Sequence, residues 1–298
     1  MVGYLYLSFA LFAGITKGFC GKKISGAMQT FRDCLFINVV RMLFCALIGF
    51  AFVLIEWKLS DLQLNAASIG VYLLAAFGMT TFCVCWMYAY KQDAYVFLNI
   101  FTMLSSIITC FLSSIFYKDA IEWNEWVGMA ILLCAVAIMS KYNRELKGKL
   151  SIRAWIILIV GCLGSSVADF SQKIYMKSVG DSVATFNFYM YAFGFALLMI
   201  LYALVRMQKR EQKLTQELVD TKYVFAYFAM SLFLFLNSSF KTLAIGILPP
   251  TQIYPILQGA NLILSGIMAH TLFKEKLNLK SILGMVCAFI GLLTMTML

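Results

Sequence analysis

Histidine occurs once in 298 residues, proline three times, and charged residues make up only 13% of the chain. Each shortage excludes something. A single histidine rules out the HExxH zinc-protease pattern, and no GxSxG elbow, Walker loop or pair of intramembrane aspartates is present. The nine cysteines form no CxxC pair, so buried free thiols are expected in place of zinc ligands or disulfides. No motif calls for a cofactor or a metal, and the chain reads as a non-enzyme. A charge content this low also lies well below that of a soluble domain.

Apolar residues fill the gap, at 62% of the sequence. A helix needs roughly 20 apolar residues to cross the hydrocarbon core. Ten segments qualify, at about 2–20, 35–55, 69–90, 94–116, 123–140, 154–172, 183–205, 223–242, 250–272 and 279–298. No alternating pattern of short strands argues for a barrel. The expected fold is therefore an all-α polytopic membrane protein of ten transmembrane helices, multi-pass in the lipid bilayer. The first apolar run lacks a basic leader and reads as the first span, not as a cleaved signal.

The net charge of +10 suggests nucleic acid only until the bases are placed. Loops after odd-numbered spans hold 17 Lys and Arg, and those after even-numbered spans hold 5. Positive-inside topology explains this asymmetry without a nucleic-acid partner. It sets the odd loops in the cytoplasm and both termini outside.

The chain also matches itself at an offset of 156. Lys17 and Lys173, Lys118 and Lys274, Asp119 and Glu275, Gly128 and Gly284, and Met129 and Met285 all obey it. Shared charged pairs and glycines are a poor product of chance in an apolar chain. The reading is a first five-helix repeat over 1–140, a basic linker over 141–153 and a second repeat over 154–298. Five is odd, so the second copy enters the membrane inverted, as in repeat-built transporters whose sites lie where the repeats meet. The longest loop, 206–222, reads as a charged helical extension between spans seven and eight. All three prolines fall at 249, 250 and 255, so span nine is expected to start abruptly and kink early.

Ionisable groups inside spans cost roughly 2.5–3.5 kcal/mol each on insertion scales, so each needs a reason. Lys17, Lys241 and His270 lie near span ends, where snorkelling to the headgroups is the simple account. Arg41 either snorkels or faces an internal anion. Asp169 is too short to snorkel. It either pairs with Lys173 at i,i+4 spacing or serves a substrate amine or a proton. On span nine, Tyr254, Gln258 and Asn261 share one face, which in lipid must point inward. The positions 156 earlier are Leu98, Thr102 and Ser105. A cavity is therefore expected between spans nine and four, lined by Tyr254, Gln258, Asn261, Thr102 and Ser105, with Asp169 within reach. Trp86, Tyr88 and Tyr90 at the end of span three read as interfacial belt or cavity wall. The small-residue runs from Gly14 to Gly18 and from Gly161 to Gly164 suit close helix packing.

Ten spans in two copies, with Lys118-Asp119 before Gly128 and Lys274-Glu275 before Gly284, resemble the drug/metabolite transporter superfamily and its EamA-like members. Arg41 near the start of span two also resembles the family pattern. The resemblance implies a transporter without a cofactor, and for many members it implies cytoplasmic termini, against the charge count. It also points to two groups of relatives, metabolite exporters and organellar nucleotide-sugar carriers. The latter tend to carry Gly-Ala-Leu-Asn-Lys in span nine, where this chain has Gln258-Gly-Ala-Asn261-Leu262, without the lysine. The expected function is secondary transport, in the export direction, of a small metabolite such as an amino acid or amine across the cytoplasmic membrane. A coupled proton or counter-solute is the expected drive. An exchanger of nucleotide-sugar or phosphorylated solutes is the alternative, and a membrane-embedded enzyme or non-transporting subunit is the alternative from another class.

Overall fold

The computed structural model describes residues 2–57, 59–91, 95–147, 152–179, 182–208, 214–271 and 279–297. Among them are ten α-helices: α1 (Val2–Ser25), α2 (Phe31–Ile55), α3 (Ala66–Lys91), α4 (Tyr95–Tyr117), α5 (Trp123–Lys147), α6 (Ile152–Ser178), α7 (Val183–Gln208), α8 (Thr221–Ile245), α9 (Pro250–Thr271) and α10 (Leu279–Met297). Six of them, α1, α2, α3, α6, α7 and α8, are long and apolar enough to cross a membrane.

Side chains are distributed as lipid demands. Phe12, Ile55, Phe77, Ile115, Phe225 and Phe289 are exposed on the outside of the bundle. Asn38, Arg41, Ser105, Ser166, Gln172, Lys173 and Asn187 are buried within it. A soluble protein of this size would not expose so much contiguous apolar surface. Polar groups in a bilayer have to be satisfied by one another, so they gather inside.

Helix ends follow local chemistry. At the start of α2, Thr30 caps the backbone N–H of Asp33, and the Asp33 carboxylate answers the Thr30 N–H, a reciprocal capping box. The same carboxylate accepts the Thr215 N–H at 3.1 Å and the Thr215 hydroxyl at 2.9 Å. The α7–α8 connection is thereby pinned to the start of α2, and its described residues include a 3-10 turn at Gln216–Val219. Beyond Gln208, then, the described part of loop 206–222 is not the continuous helix expected. α5 likewise runs on to Lys147, into the stretch expected as linker 141–153, because polar residues such as Glu145 and Lys147 still favour helix once the lipid-matched window has ended. α9 begins at Pro250, whose missing N–H costs nothing in the first turn, and it carries Pro255 inside.

The bundle is built from close pairs. α3 lies along α6, α1 along α8, α2 along α7, α5 along α10, and α4 along α9. Gly78 and Gly164 allow the first of these: a Cβ on Gly78 would sit 2.6 Å from the Ala168 nitrogen and 2.8 Å from the Gly164 carbonyl oxygen. Gly128 does the same for α5 and α10, where a Cβ would meet the Gly291 carbonyl at 2.8 Å. Its place in the repeated motif thus has a packing reason. Cys34, Cys45, Cys83, Cys85, Cys110 and Cys162 are buried free thiols.

Candidate functional site

Six helices, α1, α3, α4, α6, α8 and α9, converge on a central cavity of about 90 Å³. Polar residues reach it at helical spacing from three of them. Ser165 and Asp169 lie one turn apart on α6, Asn237 and Lys241 one turn apart on α8, and Gln258 and Asn261 share a face of α9. Thr102 comes from α4, Lys17 from α1 beside Gly14 and Gly18, and Trp86 from α3. Gly14 matters for space, since a Cβ there would lie 3.0 Å from the Asn237 amide nitrogen and 3.4 Å from the Asn261 amide oxygen.

Asp169 does not pair with Lys173. Its Oδ1 accepts a hydrogen bond from Lys241 Nζ on α8, with side chains 3% and 11% exposed respectively. Lys173 turns instead to Asp119, 3.1 Å away at the end of α4. The i,i+4 geometry is available, but each charge finds a better-placed partner on a neighbouring helix. Asp169 Oδ2 is buried without a hydrogen-bond partner. The Asp169 backbone carbonyl accepts the Tyr254 hydroxyl at 2.7 Å.

Lys241 and Lys17 also depart from the snorkelling expected of them, and Arg41 takes the inward of its two readings. Lys241 is held inside by Asp169 and does not snorkel. Lys17 lines the cavity with its ammonium 5.4 Å from the centre of the Trp86 ring. Arg41 is buried, with its guanidinium carbon 5.7 Å from the same ring and Nη1 donating to Asn38 Oδ1 at 2.8 Å. It faces inward, and no carboxylate lies within ion-pair distance among the described residues. The indole face supplies part of the compensation that water would give outside. Trp86 is a cavity wall, seated over Gly21, where a Cβ would come within 2.7 Å of the ring. The side chains of Tyr90 and His270 lie outside those described.

Of the six residues expected to form the site, Thr102, Asp169, Gln258 and Asn261 line the cavity. Tyr254 and Ser105 stand behind its wall, both fully buried. A buried phenol needs an acceptor, and Tyr254 takes the Asp169 carbonyl, so it braces α9 on α6. Ser105 donates to the Thr102 carbonyl at 2.7 Å and lies 3.1 Å from the Ser165 hydroxyl. Ser166 adds a bond to the Ser105 carbonyl at 3.1 Å, and together these hydroxyls stitch α4 to α6. Ser165, Asn237 and the inward aim of Lys17 were not anticipated. The spacings Ser165–Asp169 and Asn237–Lys241 are the signal that could have found the first two.

A bundle of membrane-length helices around a charged chamber is the architecture of a solute carrier. The chain belongs to the EamA-like transporter family, whose profile matches residues 2–141 and again 147–297. Among similar solved structures, one protein crystal structure superposes with a TM-score of 0.75 at 10% identity, covering 99% of this chain and 96% of that one. At that identity the likeness shows the fold alone. No curated protein matches the chain. The protein is thus a multi-pass membrane transporter of the drug/metabolite type, handling small molecules within a lipid bilayer.

Proposed function

We propose that this is a secondary transporter that exports a small metabolite, such as an amino acid or amine, across the cytoplasmic membrane by alternating access. The observation that carries this reading is the cavity. It is lined by three amides, two hydroxyls, an ion pair and the Lys17 ammonium, and built by three helices from each half of the chain. Such a chamber has no use in a passive scaffold, where polar groups would be a cost without return.

Two inverted five-helix repeats, 1–140 and 154–298, suit this mechanism. Adding five to a helix number turns the α3–α6 pair into α8–α1 and leaves α2–α7, α4–α9 and α5–α10 unchanged, which supports the relation. The separate family matches to each half support it too. Rocking of the halves then exposes the chamber to either side in turn. Thr102, Asp169, Gln258 and Asn261 contact the solute in this proposal, and Ser105 and Tyr254 hold the walls. A coupled proton or counter-solute supplies the drive, and both termini lie outside.

The experiment is reconstitution. Proteoliposomes holding only this protein should release a loaded metabolite faster than empty liposomes and should respond to an imposed proton gradient. Retention of every loaded solute would defeat the proposal. Orientation is tested separately in intact cells, with single cysteines at 206 or 214 in a cysteine-depleted background. An impermeant reagent should leave them unlabelled if that loop is cytoplasmic.

A further inference from the structure

We infer that Lys17 is the anion-recognising residue of the cavity and that the solute carried is a compact carboxylate, an inference that rests on reading this cavity as the transport site. The Asp169 carboxylate is bonded to Lys241, so a ligand meets that pair as nearly neutral. Lys17 lines the same cavity, and among the described residues its ammonium has the Trp86 ring at 5.4 Å but no carboxylate within ion-pair distance. A ring face offsets only a fraction of what an ammonium loses on leaving water. Arg41 lies over the same indole at 5.7 Å, adding positive potential from behind the wall. The chamber therefore carries a surplus of positive charge, and the solute that completes it is negative where it meets Lys17.

That surplus separates ligand classes. A simple amine would face two ammonium groups and one carboxylate already engaged. A phosphate ester brings up to two negative charges into a chamber that also holds Asp169. Its usual partner, an arginine fork, does not line the chamber: Arg41 stands behind the Trp86 wall, with Nη1 on Asn38. A carboxylate matches one ammonium, and the amides of Asn261 and Gln258 on the same wall can donate to it. Asp169 Oδ2 is buried without a donor, which gives an amino or hydroxyl group elsewhere on the solute an acceptor. The favoured solutes are therefore small amino or hydroxy acids, not the corresponding amines.

The test uses the full chain in proteoliposomes, with and without a pH gradient. They are loaded with an equimolar mixture of amino acids, hydroxy acids, the amides of those acids, monoamines and phosphate monoesters, and efflux is read by mass spectrometry. Carboxylates should leave at least about tenfold faster than their amides and decarboxylated amines, the factor expected for one charge-assisted hydrogen bond. Lys17→Gln should remove that efflux by a similar factor, and Lys17→Arg, which keeps the charge, should restore part of it. Should Lys17→Gln fail to elute as folded protein, the wild-type selectivity and Lys17→Arg decide. Efflux of amines, amides or phosphate esters in place of carboxylates overturns the inference and leaves the transport reading standing. Carboxylate efflux unchanged in folded Lys17→Gln also overturns it. Complete retention of the mixture by the wild type strikes the transport reading itself.

Discussion

Lys17 and Lys173 stand 156 residues apart at matching places on α1 and α6, yet they have opposite surroundings. Lys17 lines the cavity against the face of Trp86. Lys173 is tied to Asp119, with side chains 5% and 25% exposed. The contrast extends to their neighbours. The cross-helix pair Asp169–Lys241 of the second half has Ala13 and Cys85 at the positions 156 earlier, both buried and uncharged. The second half thus holds an ion pair of its own and a lysine tied to Asp119 of the first, whereas Lys17 of the first half has an aromatic face but, among the described residues, no carboxylate within ion-pair distance. A duplicated frame can tolerate this because helix pairing depends on small residues and shape, while the cavity lining is free to diverge.

The largest expected effect comes from breaking the ion pair of the second half. Lys241→Met leaves the Asp169 carboxylate buried and uncompensated, a change that typically costs about 3–5 kcal/mol. Thermal unfolding in detergent, read by a thiol-reactive dye on the buried cysteines, should show a large drop in midpoint. The double variant Asp169→Asn, Lys241→Met removes both charges and should recover most of it. A single variant as stable as the double would mean that the ion pair does not set the stability of this half.

Packing gives the next contrast. The α3–α6 seam relies on Gly78, whose Cβ would strike backbone atoms of α6, whereas the position 156 later on α8 is Leu234. Gly78→Ala should cost about 1–3 kcal/mol, because backbone cannot rotate out of the way. Gly70 on the same helix is exposed, with nothing within 4 Å of a Cβ. Gly70→Ala should be neutral or stabilise by about 0.5–1 kcal/mol through helix propensity. The same dye assay ranks the two, and equal midpoints would break the distinction.

The helices were legible in the sequence because the hydrocarbon core demands length and apolarity, and little else satisfies it. Their ends were less so: α1 continues to Ser25 and α6 to Ser178, past the apolar windows, since backbone hydrogen bonding does not stop where lipid does. Thr102, Gln258 and Asn261 were legible as cavity residues because a polar helical face must turn inward. The partner of Asp169 was not. Lys173 is correctly spaced along α6, and only the approach of Asp119 from one helix and Lys241 from another decides against it. Lys17 was ambiguous for a similar reason: a long stem near a helix end fits snorkelling equally well until Trp86 is brought beside it from α3.

The smallest effect should come from Lys173. Asp119 follows Lys118, whose φ of 56° turns the chain out of α4, and its side chain is 25% exposed although the Oδ2 that meets Lys173 is buried. Lys173→Met removes the ammonium, after which water can reach the remaining carboxylate. The loss should therefore resemble that of an exposed pair, about 1 kcal/mol or less, in place of the several expected when Asp169 is stranded. The residue also lies outside the cavity lining, so carboxylate efflux from proteoliposomes should stay within about twofold of wild type, a difference of under half a kcal/mol. Lys17→Gln should behave in the reverse sense, with efflux lost and the unfolding midpoint little changed. If Lys173→Met instead stopped transport at unchanged stability, the Asp119–Lys173 contact would be acting in the transport cycle, and the two lysines would be more alike in function than their surroundings suggest.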